Sequence, residues 1–357
     1  MIEDGTSDVA DRLRGILTSG DPAGAPDPEA LADAEWLESR LRELDGETLE
    51  ACADALLPYF LRGDGNIPGP LLPLLADAAE PVAREWLAQA GSTKDPALHG
   101  RVADVWQRVV AATGAGHPRC PERRVLLALA RWGLYGATRS GDALDGSVKA
   151  ARQALEVLPE PGEGRAAMLS LLRMALWDRH RSARGAGGQR ATGSRADLDE
   201  VIETGRQILD LADALDASSA HVRALLAEQW EVLRTRYGAT GTAADLAELT
   251  AVARRLAELT APGTPEHADR LADLGICLRI RLVRTGEPGV LDESIEVDRR
   301  AALSTADGSP RRAHRFSYLG ISLFTRFENG GEVRDLEEAV DASRTALAAL
   351  PAAHADR

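Results

Sequence analysis

HADRLADLGICLRIRLVRTG (267–286) followed by LDESIEVDRRAAL (291–303), and HRFSYLGISLFTRFENGG (314–331) followed by LEEAVDASRTALAALP (336–351), are two copies of one pattern. Each begins with a stretch whose apolar residues recur at helical spacing and which closes on glycine. A second amphipathic stretch follows, so each copy predicts a hairpin of two helices. Working outward, the leucine that opens the second stretch recurs as Leu144, Leu198, Leu246, Leu291 and Leu336, at separations of 54, 48, 45 and 45 residues. Glu200, Glu248, Glu293 and Glu338 stand two residues after four of these leucines, and Arg236, Arg281 and Arg326 stand ten before the last three. A period of this length marks stacked supersecondary units, none able to bury its apolar face alone.

Each unit carries its own start signal. Four residues before the marker leucines stand Ser140, Ser194, Thr242, Glu287 and Glu332. The first three are favourable helix N-caps, and Pro288 suits a first helical position. The glutamates after the leucines then fall in the first turn, where the helix dipole favours negative charge. Gly275 and Gly320 lie 16 residues before their markers, Ala128 holds that place in the first unit, and Trp230 departs from it in the third. A mid-helix glycine costs about 1 kcal/mol relative to alanine, so close helix contact is the expected compensation. ARGAGGQRATGS (183–194) interrupts the second unit and accounts for its longer separation.

The expected organisation is a mostly flexible segment over 1–28, a divergent helical region over 29–116 and a repeat array over 117–357. The first holds a short helix around Val9–Leu17. In the second, Leu31, Trp36, Leu37, Leu41 and Leu44 share one helix face, and Leu49, Ala53, Leu56, Leu57 and Phe60 the next. GDGNIPGP (63–70) breaks that pattern, and GAGHPRCP (114–121) marks the boundary of the array. Its units fall near 117–161, 162–216, 217–262, 263–308 and 309–351. HADR at 354–357 repeats the opening at 267–270, so a further unit is expected to begin at 352–357.

Composition narrows the function. Aromatics are only 4% of the chain, and strand-like alternation is scarce, which predicts an all-helical protein. A net charge of −14 argues against nucleic acid or an anionic membrane as partner. Cys52, Cys120 and Cys277 are widely separated and form no CxxC pair, as expected of buried thiols in a reducing cytoplasm. No apolar run is long enough to span a membrane, and the acidic amino terminus does not read as a signal peptide.

These residues resemble the tetratricopeptide repeat (TPR). Leu274–Gly275 and Leu319–Gly320 correspond to the family's Leu-Gly pair. Ala339, Ser343, Ala346 and Pro351, and likewise Ser147, Ala151, Ala154 and Pro159, match its small-residue spacing; Ser294, Asp298 and Ala301 match in part. The long unit, with RLVRTGEPGVLDESI and TPEHADRLADLG, is similar to the repeat arrays of actinobacterial proteins that end in a caspase-like CHAT domain. The resemblance implies an all-α fold, a right-handed α-solenoid of about five stacked hairpins with divergent helices before them. It implies a concave surface formed by Asp269, Ala272, Ile276, Arg279 and Ile280 of the fourth unit. His314, Ser317, Ile321, Phe324 and Thr325 would continue it in the fifth.

Catalytic chemistry finds little support. Cys277 and His314 could be weighed as a thiol–imidazole pair, but core packing and a helix start explain them more simply. The seven histidines are too scattered for a metal site, and no phosphate-cradling glycine motif occurs. Arg181, Arg184, Arg190 and Arg195 around the inserted loop read as a solvated insertion, and the six tryptophans as core wedges. The arginines ten residues before the markers are expected to pair with Glu248, Glu293 and Glu338 rather than await an acidic ligand. The chain thus reads as a non-catalytic scaffold without cofactor or metal. It would bind a protein, an apolar peptide or helix, or a neighbouring domain, as the regulatory arm of a CHAT-type protein. The alternative is a stand-alone adaptor or chaperone-like protein.

Overall fold

The computed structural model describes residues 46–63, 67–159, 162–185, 192–215 and 217–350. The segments read at 1–45 and the repeated HADR at 354–357 lie outside them, as does the centre of the inserted loop. The described residues form helices without strands: α1 (Gly46–Arg62), α2 (Leu72–Gly91), α3 (Pro96–Ala112), α4 (Cys120–Thr138), α5 (Gly141–Leu155), α6 (Glu163–Gly185) and α7 (Thr192–Ala214). They continue as α8 (Ser219–Thr240), α9 (Ala243–Leu259), α10 (Pro265–Thr285), α11 (Pro288–Leu303), α12 (Arg312–Glu328) and α13 (Val333–Ala349). Two compact units divide at Thr204–Gly205, inside α7. In the first, α2 to α6 pack each against the next; in the second, α8 to α13 do so. Each unit is therefore a stack of helical hairpins, and the fold class is an all-α solenoid.

Local chemistry sets the helix ends. Thr242 and Thr264 accept the backbone N–H of Asp245 and His267 at 3.2 and 3.1 Å, capping α9 and α10. Ser140 and Glu287 stand at N-cap positions without such a bond, and Ser194 falls inside α7 rather than before it. The hairpin turns close on Gly241 and Gly286, at φ +60° and +66°, where a side chain would be strained.

Gly275 and Gly320 mark where the two helices of a hairpin approach. A Cβ on Gly320 would stand 2.9 Å from Ser343 Oγ and 3.2 Å from the Ala339 carbonyl, and one on Gly275 would overlap Asp298 Oδ1. Between hairpins the core is apolar, aliphatic but for Phe316. Leu291, Ile295 and Ala302 of α11 pack with Phe316, Leu319 and Leu323 of α12 and with Ala339, Ala342 and Ala346 of α13.

The expected pairing of the arginine ladder needs correction. Arg236 contacts Glu248 at 3.2 Å but lies closer, at 2.7 Å, to Asp245, the residue before the marker leucine. Arg326 likewise takes Asp335 at 2.5 Å and adds Asp292 at 3.0 Å. Arg179 supplies the missing member, holding Asp197 and Asp145, both at 2.9 Å. In the fourth unit Val290 replaces the aspartate, and Arg281 turns to Glu287 at 2.7 Å, a half-exposed pair.

The glutamates two residues past the markers serve a different ladder. Each receives an arginine standing eight residues past the previous marker: Arg152 to Glu200 at 2.9 Å and Arg206 to Glu248 at 2.7 Å. Arg254 to Glu293 at 2.6 Å and Arg299 to Glu338 at 2.7 Å complete it. The second helix of one hairpin is thus tied to that of the next. Arg326→Ala, which strands the nearly buried Asp335, is expected to cost about 1–3 kcal/mol in urea unfolding. Arg281→Ala removes only a surface pair and should stay within about 1 kcal/mol of wild type. Equal losses for the two would contradict this assignment.

Candidate functional site

Four of the first helices, α4, α6, α10 and α12, carry apolar side chains that the stack does not cover. Ile276 and Ile321 follow the contact glycines by one residue, which turns them from the hairpin seam, and they are 41% and 54% exposed. Phe324 lies one helical turn beyond Ile321 and is 44% exposed, with its ring centroid 6.5 Å from that of Phe327. Tyr318, also partly exposed, precedes Ile321 by three residues. In the first unit the same repeat position is held by Leu129 of α4 and Met174 of α6, both exposed. The third hairpin places Glu231 there.

The predicted surface residues divide by what they contact. Ile276, Ile321, Phe324, His314 and Ser317 are exposed; Ala272, Ile280 and Thr325 are half-buried. Asp269 is engaged by Arg311 at 2.5 Å and by Arg315. Arg279 donates to both oxygens of the buried Asp298, at 2.5 and 2.6 Å, and lies 4.1 Å over the Tyr318 ring. Those two charges hold the face together. Sequence reasoning missed Tyr318, Leu129 and Met174; the recurrence at 129, 174, 276 and 321 was the available signal.

Asp273 lies on the same helix. Burial pushes its carboxyl up to about 6; Asp269 and Glu231 add to the rise while Arg270 opposes it. The folded-state value exceeds that of an unfolded aspartate. The group's contribution to stability is therefore full at low pH and is lost as pH rises through about 6. Asp273→Asn is thus expected to be more stable than wild type above about pH 7 and equal to it below about pH 4. Thermal unfolding across that range tests it; a constant difference would show that ionisation of Asp273 is not the cause.

Other candidates resolve as structure. Cys277 is 1% exposed, and burial, with Asp273 nearby, pushes its thiol up to about 11, far from a reactive thiolate. His267 is buried, and burial together with the Arg300 charge depresses its pKa. Among the described residues no three His, Cys, Asp or Glu side chains converge on a metal position. A cleft of about 790 Å³ beside Asp269 is lined by Arg311, Arg312 and Arg315, but each guanidinium faces a carboxylate, Asp269 or Asp307. Trp106 is fully buried, Trp230 nearly so, and Trp177 stacks on His180 at 5.5 Å, so these rings pack rather than present platforms. No described helix is long and apolar enough to cross a membrane.

No family model matches the chain, and no curated protein does. Among solved structures, it is similar to BtubC (BKLC) from P. vanneervenii at 12% identity, covering 76% of this chain and 93% of that one, with a TM-score of 0.36. A Podosopora anserina kinesin light chain with nearly identical TPR-like repeats matches at 17% identity over 65% of this chain and 97% of that one, TM-score 0.35. The apo quorum sensor NprR from B. thuringiensis matches at 10% identity over 98% and 100%, TM-score 0.21. At these identities and scores the fold assignment rests on the hairpin packing itself.

Proposed function

We propose that the chain is a non-catalytic TPR-like scaffold that binds a protein or peptide along the first-helix face. The observation that carries this reading is the uncovered apolar row, Ile276, Ile321 and Phe324. Large apolar side chains left in water on the first helices of two successive hairpins suit an apolar segment of a partner. The structural charges beside them, on Asp269 and Arg279, are already matched, so apolar contact rather than an ion clamp supplies the affinity. A displayed library of random peptides is the test. Wild type should enrich apolar sequences, and Ile321→Asp with Phe324→Ala should abolish that enrichment while helix content is unchanged. Enrichment indifferent to both substitutions would place binding elsewhere.

The finer reading is that this scaffold is the regulatory arm of a CHAT-type multidomain protein. Its support is the resemblance of the long repeats, in RLVRTGEPGVLDESI above all. Reading the gene past codon 357 tests it: a caspase-like domain with a His–Cys pair agrees, and a stop codon defeats it.

A further inference from the structure

A charge network of the first unit recurs in the second with members missing. Residues 192 apart correspond: Asp77 to Asp269, Thr113 to Thr305, Arg119 to Arg311 and Arg123 to Arg315. Their wiring is the same. Arg123 donates to Thr113 Oγ1 and to Asp77, and Arg315 donates to Thr305 Oγ1 and to Asp269. In the first unit Glu80 lies 2.8 Å from Arg123, 3.2 Å from Arg119 and 2.6 Å from Arg84, and Arg84 adds Glu122 at 2.7 Å. Three guanidiniums there meet three carboxylates. In the second unit Ala272, Ile276 and His314 stand where Glu80, Arg84 and Glu122 do. Two guanidiniums remain, and both take one oxygen, Asp269 Oδ1: Arg311 at 2.5 Å, and Arg315. Neighbouring carboxylates have partners of their own, Asp273 in Arg270 at 3.2 Å, Asp307 in Arg312 at 3.0 Å and Glu231 in Arg234 at 2.8 Å. Arg311 is exposed and lines the cleft of about 790 Å³.

We propose that Arg311 and Arg315 bind the side-chain carboxylate of an aspartate or glutamate in the partner peptide, in the role that Glu80 plays in the first unit. Two guanidiniums on a single carboxylate oxygen keep donors for a second, charge-assisted partner. The three exchanged residues, Ala272, Ile276 and His314, all belong to the face expected from the sequence to bind. Losing Glu80 and Arg84 thus does two things at once: it removes the internal partner of the arginines and sets an exposed Ile276 beside them. The site rests on the scaffold reading and gives it a register, the apolar row supplying affinity and the acidic residue fixing position. Ile276 lies one helical turn, about 6 Å, past Ala272, so an extended peptide serves both with an acidic and an apolar residue about two positions apart.

The probe is N-acetyl-glutamic acid α-amide, which carries one side-chain carboxylate and no other charge. It is titrated into the isotope-labelled full chain at low ionic strength, where screening is weakest. The Nε–H resonances of Arg311 and Arg315 should shift together and saturate, with a Kd on the order of millimolar. Those of the surface residues Arg334 and Arg344 should not saturate, and the glutamine analogue of the probe should shift none of the four. Arg311→Gln should weaken the probe about tenfold or more. Ala272→Glu, which restores the carboxylate of the first unit, should do the same with helix content unchanged. In the peptide display, wild type should enrich an acidic residue about two positions from an apolar one, and Ala272→Glu should keep the apolar preference and lose the acidic one. Apolar enrichment without acidic preference, an equal response to the glutamine analogue, or full probe binding by Ala272→Glu would each overturn this site and leave the scaffold reading standing. Absence of apolar enrichment would defeat the scaffold reading and, with it, a peptide as the source of the carboxylate.

Discussion

Glu80→Ala is expected to destabilise the first unit by about 3 kcal/mol, because it strands a buried guanidinium. Glu80 and Arg123 are both 1% exposed, and Arg123 Nε donates to Glu80 at 2.8 Å. Arg84 also donates to Glu80, at 2.9 and 2.6 Å, while Arg123 reaches Asp77 and, at 2.8 Å, Thr113 Oγ1. Burial alone would raise the Glu80 pKa, but the hydrogen bonds from Arg84 and Arg123 and the Arg123 charge hold it below the ordinary value. A depressed carboxylate contributes stability at neutral pH that is lost as pH falls through its folded pKa. The penalty of the substitution should shrink correspondingly in acid. Amide exchange in α2 to α4 should quicken about a hundredfold at neutral pH, with α10 to α13 unchanged. A loss of under about 1 kcal/mol would mean that Asp77 and Thr113 suffice for Arg123.

Asp298→Ala should have a comparable effect, about 3–5 kcal/mol, on the second unit. The carboxylate is 3% exposed and joins three helices: it accepts from Arg279 of α10, from Ser322 of α12 at 3.0 Å, and from Ser294 of its own helix at 3.5 Å. It also occupies the space beside Gly275, so Gly275→Ala must displace it. The two substitutions should therefore be non-additive, with Gly275→Ala less damaging once Asp298 has been shortened. Additive losses in urea unfolding would show that the glycine and the carboxylate do not share that space.

The hairpins were legible because their signals are local. Helical spacing of leucines, Thr242 and Thr264 at helix starts and Gly241 and Gly286 at helix ends all act within a few residues. Each therefore survives in a linear reading. The contact glycines were legible for a related reason, since a mid-helix glycine has few other uses. Of the residues expected on a binding face, Ile276, Ile321 and Phe324 stand exposed, as their place beside the contact glycines suggested, whereas the charges on Asp269 and Arg279 belong to internal pairs that spacing does not reveal.

The pairing of charges was the part that sequence left open. Spacing shows that Arg236, Arg281 and Arg326 recur, and that glutamates recur in step with them. It does not show which carboxylate comes within 4 Å, because Asp245, Glu248 and their equivalents lie less than one turn apart on the facing helix. A single exchange, Val290 for aspartate, then redirects Arg281 to Glu287. The ladder from Arg152, Arg206, Arg254 and Arg299 spans successive hairpins, a separation of 48 to 39 residues that only stacking closes. Sequence by itself determined the helical hairpin, because short-range packing and capping fix it. Tertiary structure decided which charges meet and which apolar faces stay open, because both depend on how one hairpin lies on the next.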